Sequence, residues 1–203
     1  MKKLLAFLMM LVLLVPLTAC KSDQGPYIEP AQLNEDEKAI AGLLGLNTEQ
    51  RIYDFVLDDT VKSMEFSVYE LKDGAWEPVS DGARIFEDEK GRIAVGFDKI
   101  AEGFRFAVQS KSHGGADSYV SDAECDFTGM AVHTSAMADR TQIVYDEEIP
   151  LVVQIITSKN EVRSYGPEGF NTPEIYAESG YEYVYAITIR FSQKTVEETE
   201  QAE

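Results

Sequence analysis

Beyond Asn47 the apolar residues recur at every second position, which puts them on one face of an extended strand instead of one stripe of a helix. Tyr53, Phe55 and Leu57 interleave with Ile52, Asp54 and Val56, an almost two-sided apolar run. Met64, Phe66 and Val68 alternate with Glu65 and Ser67, and the phase then shifts to Tyr69 and Leu71, as a β-bulge would cause. Asp73-Gly74, Asp81-Gly82 and Glu89-Lys90-Gly91 read as turns, each followed by further alternation (Trp76 and Val79; Ile85 and Phe86; Ile93, Val95 and Phe97). Phe104, Phe106 and Val108 continue the pattern; His113-Gly114-Gly115 opens a loop to about Ala123. Met130, Val132 and Thr134 resume it, Ile143 and Tyr145 form a short strand, and Ile149 to Thr157 a strong one. The longest strand runs from Tyr181 to Phe191, with Tyr181, Tyr183, Tyr185, Ile187, Ile189 and Phe191 on one face. About nine strands with closely spaced turns predict a mainly β fold, an antiparallel β-sandwich with the immunoglobulin-like arrangement among its forms and a partly closed barrel as the alternative. The Cys–Trp–Cys signature of antibody domains is absent.

Helix is confined to two places. Asn34 with Glu37 three residues on has capping-box spacing, and Ala39, Ile40, Leu43 and Leu44 form one apolar stripe ending at Gly45. Such a helix packs against the edge or end of a sheet, with a partner-binding helix as the alternative. A shorter helix starts at Thr172-Pro173, just before the last strand, and stops before Gly180, with residues 164–171 as loop. A single domain is therefore expected over residues 34–192. Polar residues 20–33, with Gly25, Pro26 and Pro30, read as a tether reaching up to roughly 40 Å. Residues 193–203 read as a disordered acidic tail.

The N-terminus carries an address. Met1-Lys2-Lys3 is a basic start, and Leu4 to Val15 is uninterruptedly apolar, about the length of a signal-peptide core and short of the roughly 20 residues that cross a bilayer. The run ends in Leu17-Thr18-Ala19-Cys20. Ala19 suits an ordinary signal peptidase, but Leu17 is too large for the third-last position. This tetrad resembles the lipobox of bacterial lipoprotein signal peptides at all four positions. The resemblance covers residues 1–20 alone. It implies removal of residues 1–19, a diacylglyceryl group on the Cys20 thiol, and a mature chain facing the extracytoplasmic side on a lipid anchor. Several acyl chains on one residue hold firmly where a single chain is marginal.

Eighteen basic residues stand against 36 acidic ones, for a net charge of −18. Without residues 1–19, which hold two lysines and no acid, 16 stand against 36, a net −20. Such a chain is repelled by phosphate backbones, so no nucleic-acid partner is expected. With Cys20 lipidated, Cys125 is the remaining cysteine and has no intramolecular disulfide partner. It sits between Glu124 and Asp126, anions that disfavour a thiolate, so a Cys–His pair with His113 or His133 is a poor nucleophile. Gly-x-Ser-x-Gly, Ser-x-x-Lys, His-Glu-x-x-His and Cys-x-x-Cys are all missing. Asp122, Glu124 and Asp126 share one face of an extended segment, and Asp58-Asp59 and Glu87-Asp88-Glu89 fall in turns. None follows a calcium-loop pattern, and solvated acidic surface is the simpler reading. No catalytic residue, no metal ligand and no cofactor beyond the Cys20 lipid is assigned.

The surface feature that draws attention is aromatic. Tyr165, Tyr176, Tyr181 and Tyr183 cluster near the last strand and form a possible binding surface for sugar rings or a protein. Ile187 and Ile189 continue the Tyr183 face, which favours core for that strand. Tyr185 is expected to be buried and Tyr181 the most exposed. The function expected is a membrane-anchored, non-catalytic binding or envelope-interaction module with a protein or glycan partner. The alternatives are a carboxylate-dependent hydrolase of wall or glycan material and a structural or assembly protein of the envelope.

Overall fold

Strand pairing follows the hydrophobic alternation closely enough to define the architecture. The structure, a computed structural model, describes residues 25–43, 51–121, 126–163 and 165–201. The signal peptide, Cys20, Leu44, Gly45, Asp122, Glu124 and Cys125 therefore lie outside the described residues. Eleven strands are described: β1 (Tyr27–Pro30), β2 (Ile52–Val56), β3 (Ser63–Lys72), β4 (Ala75–Ile85), β5 (Lys90–Gly96), β6 (Gly103–Ser110), β7 (Gly114–Val120), β8 (Ala131–Ala136), β9 (Thr141–Gln142), β10 (Glu148–Thr157) and β11 (Tyr183–Ser192). They form two antiparallel sheets, ordered β7-β6-β5-β2-β1-β9 and β4-β3-β11-β10-β8, stacked as a sandwich. Eleven strands exceed the seven to nine of an immunoglobulin domain.

The inner faces meet in one apolar core. Tyr53, Phe55, Ile93, Val95 and Phe106 come from the six-stranded sheet, and Met64, Phe66, Val152, Ile187, Ile189 and Phe191 from the five-stranded one. Phe55 lies 5.4 Å from Phe86 and 5.2 Å from Phe191, so aromatic contact ties the layers together. Two polar groups cross between the layers with their bonds made. The Tyr53 hydroxyl donates to the Leu151 carbonyl at 3.0 Å. Gln154, fully buried, donates through Nε2 to the Asp98 carbonyl and to Thr134 Oγ1, and its Oε1 accepts from the Ile100 N–H at 2.8 Å. A buried amide with every partner in place fixes the register of the 97–102 turn on β10.

Several expectations are corrected. Tyr27–Pro30 is a strand, with Ile28 buried and paired between β2 and β9, and so is no part of a free tether. Gly25, Pro26 and Pro30 mask an apolar Ile28 that the core requires. The acidic tail is ordered as far as α3 (Val196–Glu200): Thr195 and Glu198 form a capping box that satisfies the first free N–H groups. Gly114 to Val120 is an edge strand against β6 instead of a loop. Asp81-Gly82 is no turn either, because β4 runs through it and Gly82 pairs with Phe66. The bulge lies on β4 instead of β3, where Val79 is the extra residue between the Val68–Ser80 and Tyr69–Pro78 pairs. The short strand expected at Ile143 and Tyr145 falls at Thr141–Gln142, and Ile143 N–H bonds the Pro26 carbonyl.

Asp73-Gly74 is a turn as expected, with φ of 49° and 82°, the pair of positive values that matches strand twist. Asn34 and Glu37 form the expected capping box on α1 (Glu35–Leu43). Its apolar stripe does not pack, however: Ile40 is 59% and Leu43 87% exposed, and Ala41 is the residue buried. Glu37 instead reaches Arg92, which also holds Asp54 in a two-point ion pair, so polar contact seats this helix on the sheet.

Candidate functional site

Adjacent antiparallel strands are ordinarily joined by two to five residues. β10 and β11 are instead joined by residues 158–182, an excursion of 25 residues containing a 3-10 helix (Pro167–Asn171) and α2 (Glu174–Ser179). Connections this long in compact domains usually carry function. The excursion folds back over the outer face of the five-stranded sheet and closes a second apolar cluster. Val153, Ile155, Val184 and Ala186 come from the strands and Tyr176 from α2, with Tyr69, Leu71, Trp76, Tyr165, Phe170 and Tyr181 packed around them. Trp76 stacks on Phe170 at 5.1 Å and its indole N–H donates to the Phe170 carbonyl at 2.8 Å. Gly169 is required here, because a Cβ would meet the Tyr176 hydroxyl at 2.3 Å. α2 ends at Gly180, whose φ of 60° is the left-handed cap.

Three polar clasps close the neck. The Glu182 carboxylate accepts from the Ser158 hydroxyl, the Thr157 hydroxyl and the Ser158 N–H. Those donors favour its charged form and bring its pKa down to about 2. The Arg163 N–H donates to the Tyr181 hydroxyl at 2.9 Å, and Lys159 Nζ donates to the Ser179 carbonyl. Between the clasps lies a groove of about 370 Å³ whose walls include Tyr165, Ile175 and Tyr181, with Lys159, Glu161, Arg163 and Glu178 also lining it. Lys159 Nζ lies 5.8 Å from the Tyr181 ring centre.

The four tyrosines singled out in the sequence thus separate into three roles. Tyr165 and Tyr181 wall the groove. Tyr176 lies beneath them, 1% exposed, edge-on to Tyr165 at 5.4 Å, its hydroxyl pushed up in pKa mainly by burial. Tyr183 belongs to the opposite side of the strand, packed on Phe127 at 5.4 Å against the main core. Tyr183 therefore cannot share a platform with Tyr181. Tyr185 is buried as expected, and Tyr181 is half-buried. Sequence reasoning missed Lys159, Arg163 and the Trp76–Phe170 anchor. The signal was the distance from β10 to β11.

Three of the carboxylates in the acidic segments hold structural positions. Asp58 caps the Thr60 turn, Asp126 caps Thr128, and Asp88 accepts from Ser110, Ser112 and His113, each of the three held below the usual carboxylate range chiefly by those hydroxyl and N–H donors. Glu148 differs: its Oε1 accepts from the Tyr69 hydroxyl while its Oε2 is buried without a partner among the described residues. Glu65 lies two strands away in the same row, but Arg190 stands between them and makes two bonds to Glu65. A carboxylate neutralised in this way is not arranged to protonate a leaving group. Among the described residues no group of three His, Cys, Asp or Glu side chains converges as a metal site.

A second opening, about 190 Å³, lies where edge strands β4 and β7 face each other. Phe66, Phe104, Phe106 and Tyr119 floor it, and the Arg84–Asp117 ion pair spans it. Comparison with protein-family models, curated proteins and solved structures finds no match to this chain.

Proposed function

We propose that this chain is an exported, lipid-anchored, non-catalytic binding module of the cell envelope, and that the Tyr165–Tyr181 groove holds a glycan. The tetrad Leu17-Thr18-Ala19-Cys20 supports the anchoring. The observation that carries the ligand class is the groove itself: two tyrosine rings with Lys159, Glu161, Arg163 and Glu178 around them. Ring faces take the C–H face of a sugar, and rim charges of both signs take its hydroxyls and any acidic substituent. Among the described residues Arg163 has no ion-pair partner, in a chain with twice as many acids as bases. It is free to meet a ligand.

Two measurements test this. Radioactive palmitate should label the protein in a bacterial host, and Cys20→Ala should abolish the label; an unlabelled wild type refutes the anchoring. Envelope glycan fragments titrated onto the processed chain should bind, and Tyr165→Ala or Arg163→Gln should weaken binding about tenfold, or roughly 1.4 kcal/mol. Equal binding by wild type and both variants removes the groove as the site.

A further inference from the structure

We infer that the anchored domain stands upright on the membrane, with the end bearing Pro26 toward the headgroups and the Tyr165–Tyr181 groove at the far end. The inference rests on lipidation of Cys20 and adds an orientation to it. Its first support is the corrected tether. The Pro26 carbonyl already accepts the Ile143 N–H at 2.9 Å, and Tyr27 is paired with Val56 and Gln142. Residues 21–25 alone separate Cys20 from that fixed point. Fully extended they span roughly 20 Å, half the reach of a tether running to Leu33.

The second support is which end Pro26 occupies. Ile143 leads to Asp146, whose N–H bonds the Phe191 carbonyl, and the Ser192 carbonyl accepts from Lys62 N–H. Lys62 in turn bonds Phe86, and Glu89 bonds Leu57. This belt of main-chain bonds joins the loops at one end of both sheets, where β11 finishes. The groove lies at the other end, where β11 begins: Tyr181 and Glu182 immediately precede Tyr183. A ten-residue strand is about 33 Å long, so the groove clears the anchored end by about that length.

The third support is charge. Without residues 1–19 the chain carries a net charge of −20, and its Pro26 end, with Asp59, Glu89 and Glu147 exposed, stays near the lipid only because the tether is short. An acidic excess of this kind is repelled by anionic headgroups within a Debye length of about 8 Å. The domain is therefore held near the bilayer by its short tether and kept from lying down on it. The groove faces outward, toward envelope glycan beyond the lipid.

Labelling the lipidated chain tests the orientation. In a Cys125→Ser background, Asp59→Cys marks the anchored end and Asn160→Cys the groove end, both at exposed positions. Each fluorescently labelled protein is reconstituted in phosphatidylethanolamine–phosphatidylglycerol vesicles carrying a headgroup-linked energy acceptor. The Asp59→Cys label should be quenched several-fold more than the Asn160→Cys label. Equal quenching, or the reverse order, overturns the upright orientation while leaving the anchor intact. If the wild-type chain fails to float with vesicles, or Cys20→Ala floats equally well, the anchoring itself is overturned.

Discussion

The two apolar clusters of this protein are built on opposite faces of the same five-stranded sheet, yet they are different kinds of core. The one between the sheets is closed by residues from both sheets, and its contacts join segments far apart in the chain. The one on the outer face is closed by a single excursion, and apart from Tyr69, Leu71 and Trp76 its members lie between Val153 and Ala186. The first cannot open without loss of the fold. The second is held by its three neck clasps, by Trp76 and Tyr69 on Phe170 and by buried Tyr176, so its release would leave the strand pairing of the sandwich untouched. A candidate site is thereby placed on the less constrained of the two.

The largest effect that would test this contrast is Phe55→Ala. It removes a buried ring touching Phe86 and Phe191 and should cost about 3–5 kcal/mol in global denaturant unfolding. Trp76→Ala should cost less, about 2–3 kcal/mol, because its ring is half-buried. Its distinguishing result is regional: hydrogen exchange should speed up over residues 158–182 and stay slow in β5 and β6. Uniform acceleration would make the two clusters one cooperative unit. Gly169→Ala forces a Cβ against the Tyr176 hydroxyl and should disturb the same region, with near-ultraviolet dichroism reporting tyrosine repacking while strand content is unchanged.

The smallest expected effect is a pH dependence. Glu182 has its folded pKa lowered to about 2 by the Ser158 and Thr157 donors. Its contribution is therefore complete above the unfolded value, near 4.3, and is lost as pH falls toward 2. Glu182→Gln should reduce protection of residues 158–163 at pH 6, and wild type and variant should converge at about pH 2–3. A difference that is constant with pH would assign the effect to shape instead of charge.

The second cluster also explains where sequence reading succeeded and where it failed. Ile187, Ile189 and Phe191 were legible because one sheet face covered by the other sheet yields strict alternation. Tyr69 and Leu71 looked like a phase slip, but they continue the outward face of β3, apolar there because the excursion covers it. A period-two argument assumes one wet face, and this sheet is covered on both where the excursion packs on it. Tyr27–Pro30 was hidden for another reason. A four-residue strand bracketed by prolines has too few positions to show a period, and its place is set by β2 and β9 on either side. The groove was half legible: its tyrosines stand out in composition, whereas Lys159 and Arg163 look like any surface cations until the clasps bring residues 157–163 beside residues 179–182.

β4 ends one sheet, and its outward backbone groups are the kind that recruit a strand from another molecule. Wherever copies meet edge-on at high local concentration, even weak strand addition propagates into fibres. The extra residue at Val79 interrupts the spacing that an incoming strand would have to match. Pro78 beside it lacks a donor, and Glu77 and Asp81 set like charges opposite any identical copy. The irregularity that obscured β4 in the sequence is thus also what makes this edge a poor template for a second copy of itself.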